Sequence, residues 1–194
     1  MRFSVVALAL GAWAVVACSQ PSQDQAVAEV AVADTLSQDA LIERGEYLVN
    51  AIGCDDCHSP KVFTEQGPEL DPARRFAGQP AEEPIAPVSK DAKAAWVLFN
   101  HHNTAVAGPW GVSFAANISS DETGIGNWTE EQFFRAMREG RSKGIATNRM
   151  MLPPMPWPNY AKLSDQDLKA IFAYLKSTPP VRNVVPAPLT PDQI

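Results

Sequence analysis

The run Cys54-Asp55-Asp56-Cys57-His58 sets two thiols one helical turn apart and follows them at once with an imidazole. That spacing suits covalent attachment of a planar macrocycle. Both thiols can form thioethers to the two vinyl groups on one edge of a haem, and His58 can reach the iron from the same side. A bare CxxC could instead hold zinc or act as a redox dithiol. Zinc would need two further ligands, and the one remaining cysteine is Cys18. A thioredoxin-like dithiol would want a βαβ setting, which the chain does not offer. The pattern therefore predicts one covalent haem on Cys54 and Cys57, with His58 as an axial ligand.

The second axial position calls for a methionine or another histidine. Met137 falls on a helical stripe and reads as core. Met150, Met151 and Met155 lie in the segment from Asn148 to Pro158, where Pro154 and Pro156 flank Met155 on a stiff, extended loop. Such a loop suits a weak thioether ligand, so Met155 is favoured. Met150 and Met151 read first as gap-filling core but stay open as ligands, as do His101 and His102, which otherwise read as a polar surface pair. A closed, six-coordinate iron implies single-electron transfer with no catalytic residue. An open iron would imply a peroxidase or small-molecule reductase using His101 and His102, or a gas or redox sensor with a displaceable ligand.

Three helical segments are expected around these residues. Ser37 caps a helix to about Ile52, with Leu41, Gly45, Leu48, Val49 and Ile52 on one face. Thr129-Glu130-Glu131-Gln132 has capping-box form, followed by Phe133, Phe134 and Met137, with Gly140 as terminator. Ser164 opens the last helix, which carries Leu168, Ile171, Phe172 and Leu175 at helical spacing before Pro179 and Pro180. Between about 60 and 117 the proline density predicts a long loop insertion without long helices or central strands. Only Trp96-Val97-Leu98-Phe99 reads as a short strand or a cover for the core. The tail 181–194 should run extended on the surface.

Ahead of the domain, Arg2 and the apolar run to Ala17 have the form of an export signal too short to span a bilayer. Val15-Val16-Ala17-Cys18 resembles a bacterial lipobox, which predicts cleavage after residue 17 and lipid on Cys18. Residues 18–37 then read as a flexible tether, and 38–180 as the domain. The expected place is the bacterial cell envelope facing the periplasm, with the outer membrane slightly favoured because Ser19 follows Cys18. The chain has 194 residues, 45% hydrophobic and 20% charged, and its net charge of -6 comes with no basic run, which argues against nucleic acid.

A helix, CxxCH, a downstream methionine between prolines and a final helix Asp167-Leu168-Lys169-Ala170-Ile171-Phe172-Ala173-Tyr174-Leu175 together resemble the class I cytochromes c. The stretches Ala107-Gly108-Pro109-Trp110-Gly111, Asn117-Ile118-Ser119, Thr123 to Thr129 and Pro154-Met155-Pro156-Trp157 bring the chain closer to the cytochrome subunits of membrane-bound alcohol and sugar dehydrogenases. Such subunits usually carry three haem motifs, and this chain carries one. The resemblance implies an all-α cytochrome c fold with one haem c, Met155 on the iron and the final helix crossing the first at Gly45. It implies a dehydrogenase or terminal oxidase as redox partner.

Overall fold

The structure, a computed structural model, describes residues 36–194. The expected signal over 1–17, the lipid-bearing Cys18 and nearly all of the tether lie outside the described residues. Among the described residues six α-helices and five short strands follow in chain order, so the domain is mixed α and β. This corrects the all-α expectation.

Helix α1 (Gln38–Ala51) begins where Ser37 Oγ accepts the Ala40 N–H at 3.2 Å. Two residues, Ile52 and the left-handed Gly53, separate it from α2 (Cys54–His58), which is the CxxCH motif itself. Helix α4 (Glu130–Glu139) starts at Thr129, whose side chain accepts from Gln132 N, and stops at Gly140 as expected. The short α5 (Trp157–Tyr160) leads into α6 (Asp165–Ser177), capped by Ser164. The main core joins Leu48 and Val49 of α1, Phe133 and Met137 of α4, and Leu168, Ala170, Ile171, Tyr174 and Leu175 of α6, with Phe76 and Ile125 from the loops. Met137 is thus core. Helices α1 and α6 meet where Gly45 faces Ala170. A Cβ added at Gly45 would lie 2.0 Å from the Ala170 carbonyl oxygen, so only glycine permits this approach.

The insertion is where strands form. β1 (Lys61–Thr64) and β2 (Gly67–Leu70) make an antiparallel hairpin with Lys61 opposite Leu70 and Thr64 opposite Gly67. After the short helix α3 (Lys90–Ala95), strands β3 (Leu98–Phe99), β4 (Ala105–Gly108) and β5 (Gly111–Phe114) form a second antiparallel sheet in that order. The prolines do not prevent this. Pro68 sits in a two-stranded hairpin, where each strand is an edge, and Pro109 sits in the β4–β5 turn. β4 is buried along its whole length, so it shows no alternation, and its Ala-Val-Ala-Gly composition has little strand preference. Of the run Trp96 to Phe99 only Leu98 and Phe99 are strand, while Trp96 and Val97 are exposed. The tail 181–194 forms no helix and is stitched down. Leu189 pairs with Val112 of β5, and Asn183 Nδ2 donates to the Ala77 and Gln79 carbonyls at 2.7 and 2.8 Å. Among the described residues no helix is long and apolar enough to cross a membrane.

Candidate haem site

Cys54 and Cys57 occupy the first and last turns of α2, and both are unpaired thiols, half-buried. Burial first, then the charges of Asp55 and Asp56, push the Cys54 thiol up to about 12. Burial and Asp56 raise Cys57 as well. Reactive dithiols and zinc-binding cysteines sit where positive charge lowers the thiol pKa, so this apolar, acidic setting suits neither.

His58 is oriented by the backbone. Its Nδ1–H donates to the Ala116 carbonyl at 2.7 Å, which leaves the Nε2 lone pair as the ring's free donor atom. Burial holds the imidazole below its ordinary pKa, favouring the neutral ring a metal requires. The wall behind His58 is a short ladder between two loops. Gly78 N–H donates to His58 O at 2.8 Å, Gln79 N–H to Ala115 O at 3.0 Å, and Ile118 N–H to Phe76 O at 2.9 Å. Gly78 has φ 75°, and a Cβ there would meet Ala115 O at 2.4 Å, so the insertion can press against residues 115–116 only through glycine.

The helix carrying the thiols is locked from its far side. Asp55, only 8% exposed, takes the Arg75 guanidinium through Nε at 3.1 Å and Nη2 at 2.6 Å. It also accepts the Ser59 hydroxyl at 2.6 Å, while Ser59 Oγ accepts the Phe76 N–H at 2.8 Å. Arg75 continues to Tyr174 OH on α6 at 3.1 Å and to Asn50 Oδ1 on α1 at 2.9 Å. Lys61 Nζ donates to the Asp55, Asp56 and Ser59 carbonyls, closing the C-terminal end of α2.

Met155 is half-buried and packs against the same core cluster as Cys54. Its loop is tied at several points. Met151 N–H donates to Gly140 O at 2.7 Å, Met150 pairs with Arg141, and the Ser113 hydroxyl of β5 donates to Pro153 O at 2.6 Å. Trp110 Nε1 donates in turn to Ser113 Oγ at 3.3 Å. The Ala-Gly-Pro-Trp-Gly stretch thus buttresses the methionine loop from the sheet. Met150 is 40% exposed, and of the three methionines in this segment it is Met155 that packs, with Cys54, against the core cluster. His101 and His102 are gathered elsewhere, against Glu83.

Four contributors were missed by residue-type reasoning: Ala116, Arg75, Ser113 and Tyr160. Ala116 acts through its carbonyl and leaves no sequence signal. Tyr160 packs against the same core cluster as Cys54 and Met155, and burial, then the charges of Cys54, Cys57 and Asp56, push its hydroxyl pKa up. Its one signal is an aromatic residue five positions after Met155.

Two thiols and an oriented imidazole on one short helix, beside an apolar core, have the chemistry of covalent, c-type haem attachment. Residues 42–179 match the model of the cytochrome c family, and the chain belongs to that family. The chain is similar to the gluconate 2-dehydrogenase cytochrome c subunit of Pantoea cypripedii, with 34% identity over 145 residues, covering 74% of this chain and 24% of that protein. It is 31% identical over 139 residues to the cytochrome c subunit of the quinone-type alcohol dehydrogenase of Gluconobacter oxydans, covering 71% of this chain and 21% of that subunit. A segment of 73 residues is 40% identical to the fructose dehydrogenase cytochrome subunit of Gluconobacter japonicus, covering 37% of this chain and 14% of that subunit. The chain therefore spans a quarter or less of the length of these relatives. Family and relatives together support a haem electron carrier that resembles dehydrogenase cytochrome subunits.

Proposed function

We propose that this chain carries single electrons through one haem c, joined to Cys54 and Cys57 and ligated by His58 Nε2 and Met155. The observation that carries the reading is the His58 Nδ1–H bond to Ala116 O, which selects the tautomer with Nε2 free. Bound haem supplies the change of iron valence, and the chain supplies everything that fixes its setting. The Ala116 carbonyl raises the basicity of the imidazole, and the apolar cluster beneath Cys54 and Met155 limits water and disfavours added charge. The clamps on Met155 from Gly140 and Ser113 keep the thioether seated, so that valence can change with little movement of the protein.

The partner we propose is a dehydrogenase, by likeness to the relatives, with a terminal oxidase as the other candidate. The place is the periplasmic face of a bacterial membrane, the outer one slightly favoured, through lipid on Cys18. Mass spectrometry of the mature N-terminus tests the anchor, and an unmodified Cys18 would end it. The ligation is tested by carbon monoxide binding to the ferrous haem-loaded protein. Wild type should resist carbon monoxide, and Met155→Ala should bind it readily at a lowered potential, while Met150→Ala and Met151→Ala behave as wild type. Ready binding by the wild type would refute Met155 as ligand.

A further inference from the structure

Away from the haem site the described residues bring together a second set of ligating side chains. The donor atoms of Glu83, His101 and His102 all lie within 4.8 Å of one another. Glu83 Oε2 is 2.9 Å from His102 Nε2, and Glu83 Oε1 is 3.2 Å from His101 Nε2. The two imidazole centroids are 4.1 Å apart, and Phe63 of β1 packs against both, at 5.5 and 6.2 Å. We infer that Glu83 and His101 form a binding site for a divalent transition-metal ion of the Zn2+ or Cu2+ kind, oriented by His102.

The roles follow from the protons. His102 Nδ1 lies 3.1 Å from the Lys61 backbone N–H, which can point there only if Nδ1 offers a lone pair. Neutral His102 therefore carries its hydrogen on Nε2 and donates it to Glu83 Oε2. That ring cannot ligate without losing one of these bonds, so it holds the carboxylate in place as a positioning residue. His101 is under no such restraint. Its side chain is 58% exposed, and it can move its hydrogen to Nδ1 and release the Nε2 lone pair. An ion bonded at about 2.1 Å to both Nε2 and Oε1 would, at their present separation, see them at roughly 100°, between octahedral and tetrahedral angles. Water fills the remaining positions on the exposed side. One imidazole and one carboxylate favour Zn2+ and Cu2+ over Ca2+ or Mg2+.

The surrounding charges permit this. Among the described residues no lysine or arginine pairs with Glu83, whose carboxylate meets only the two imidazoles. The nearby cation is Arg74, which is held by Asp71 at 2.7 Å and lies 3.6 Å from Glu82. The site rests on loop 80–84, the β3–β4 turn and the start of β1, so it stands independently of the haem ligation.

The test is calorimetric titration of Zn2+ into the tag-free, haem-loaded protein, with the haem spectrum as a check on folding. One ion should bind per chain, and Glu83→Gln and His101→Gln should each abolish that binding. His102→Phe should weaken it by about 10- to 100-fold, whereas His102→Gln, which retains an N–H donor, should recover part of the loss. Superimposable isotherms for wild type and Glu83→Gln would overturn the site. Loss in His102→Gln as complete as in His101→Gln would overturn the positioning role and make His102 a ligand.

Discussion

Arg75→Met removes the guanidinium that locks the haem-attachment helix while keeping an apolar stem of similar reach. It deletes the contacts to both Asp55 oxygens, to Tyr174 OH and to Asn50, and the seat of the guanidinium over the Phe76 ring at 4.4 Å. Asp55 is left nearly buried with only Ser59 Oγ as side-chain partner. Breaking a buried ion pair from one side costs about 3–5 kcal/mol. Here the Arg75 side chain is 34% exposed, so water can reach part of the orphaned carboxylate. The expected loss falls accordingly to about 2–3 kcal/mol. Asp55→Asn in the same background removes the stranded charge, so the double variant should be more stable than the sum of the singles by about 1–2 kcal/mol. Urea unfolding of the ferric, haem-loaded protein, followed by circular dichroism and haem absorbance, measures both. A single-variant loss within the roughly 0.5 kcal/mol typical of inert surface changes would refute the reasoning, as would strict additivity.

Gly45→Ala should destabilise the protein despite the roughly 1 kcal/mol that alanine gains in a helix, because its Cβ meets Ala170 backbone and overpacking costs about 1–3 kcal/mol or more. A melting temperature equal to or above wild type would show that α1 and α6 can part freely. Ser113→Ala removes the hydroxyl that holds Pro153 and should cost about 1 kcal/mol. It should also speed carbon monoxide binding relative to wild type, short of Met155→Ala; an unchanged rate would detach the sheet from the methionine loop. Acid should weaken the fold through His102, whose pKa burial holds below its ordinary 6.5, aided by His101 and Arg74 and opposed by Glu83. Above that value neither state binds the proton; below it the unfolded chain takes one that folded His102 refuses, so stability falls from about pH 6.5 downward until the folded ring titrates. His102→Gln should flatten that slope in urea midpoints, and an unaltered slope would assign it to other groups.

The CxxCH motif, the family it points to and the three helices with their caps were legible from residue types alone, because the motif and helix capping are local. Ser37, Thr129 and Ser164 each satisfy backbone N–H groups within one turn, and no distant residue is needed to decide that. The place of Gly45 came through family resemblance, and the crossing at Ala170 gives it a cause. The strands of the insertion were not legible, since β4 is buried on both faces without alternation and draws its order from pairing with β3 and β5. Nor could sequence join Arg75 to Asp55, Ala116 to His58, Ser113 to Pro153 or Glu83 to His101 and His102. Those contacts link segments from 18 to 58 positions apart, and a carbonyl or a single polar side chain carries no mark of its distant partner. Residue chemistry determined what could be bound at residues 54–58; the packing of the insertion and the tail around that motif decided which atoms face it.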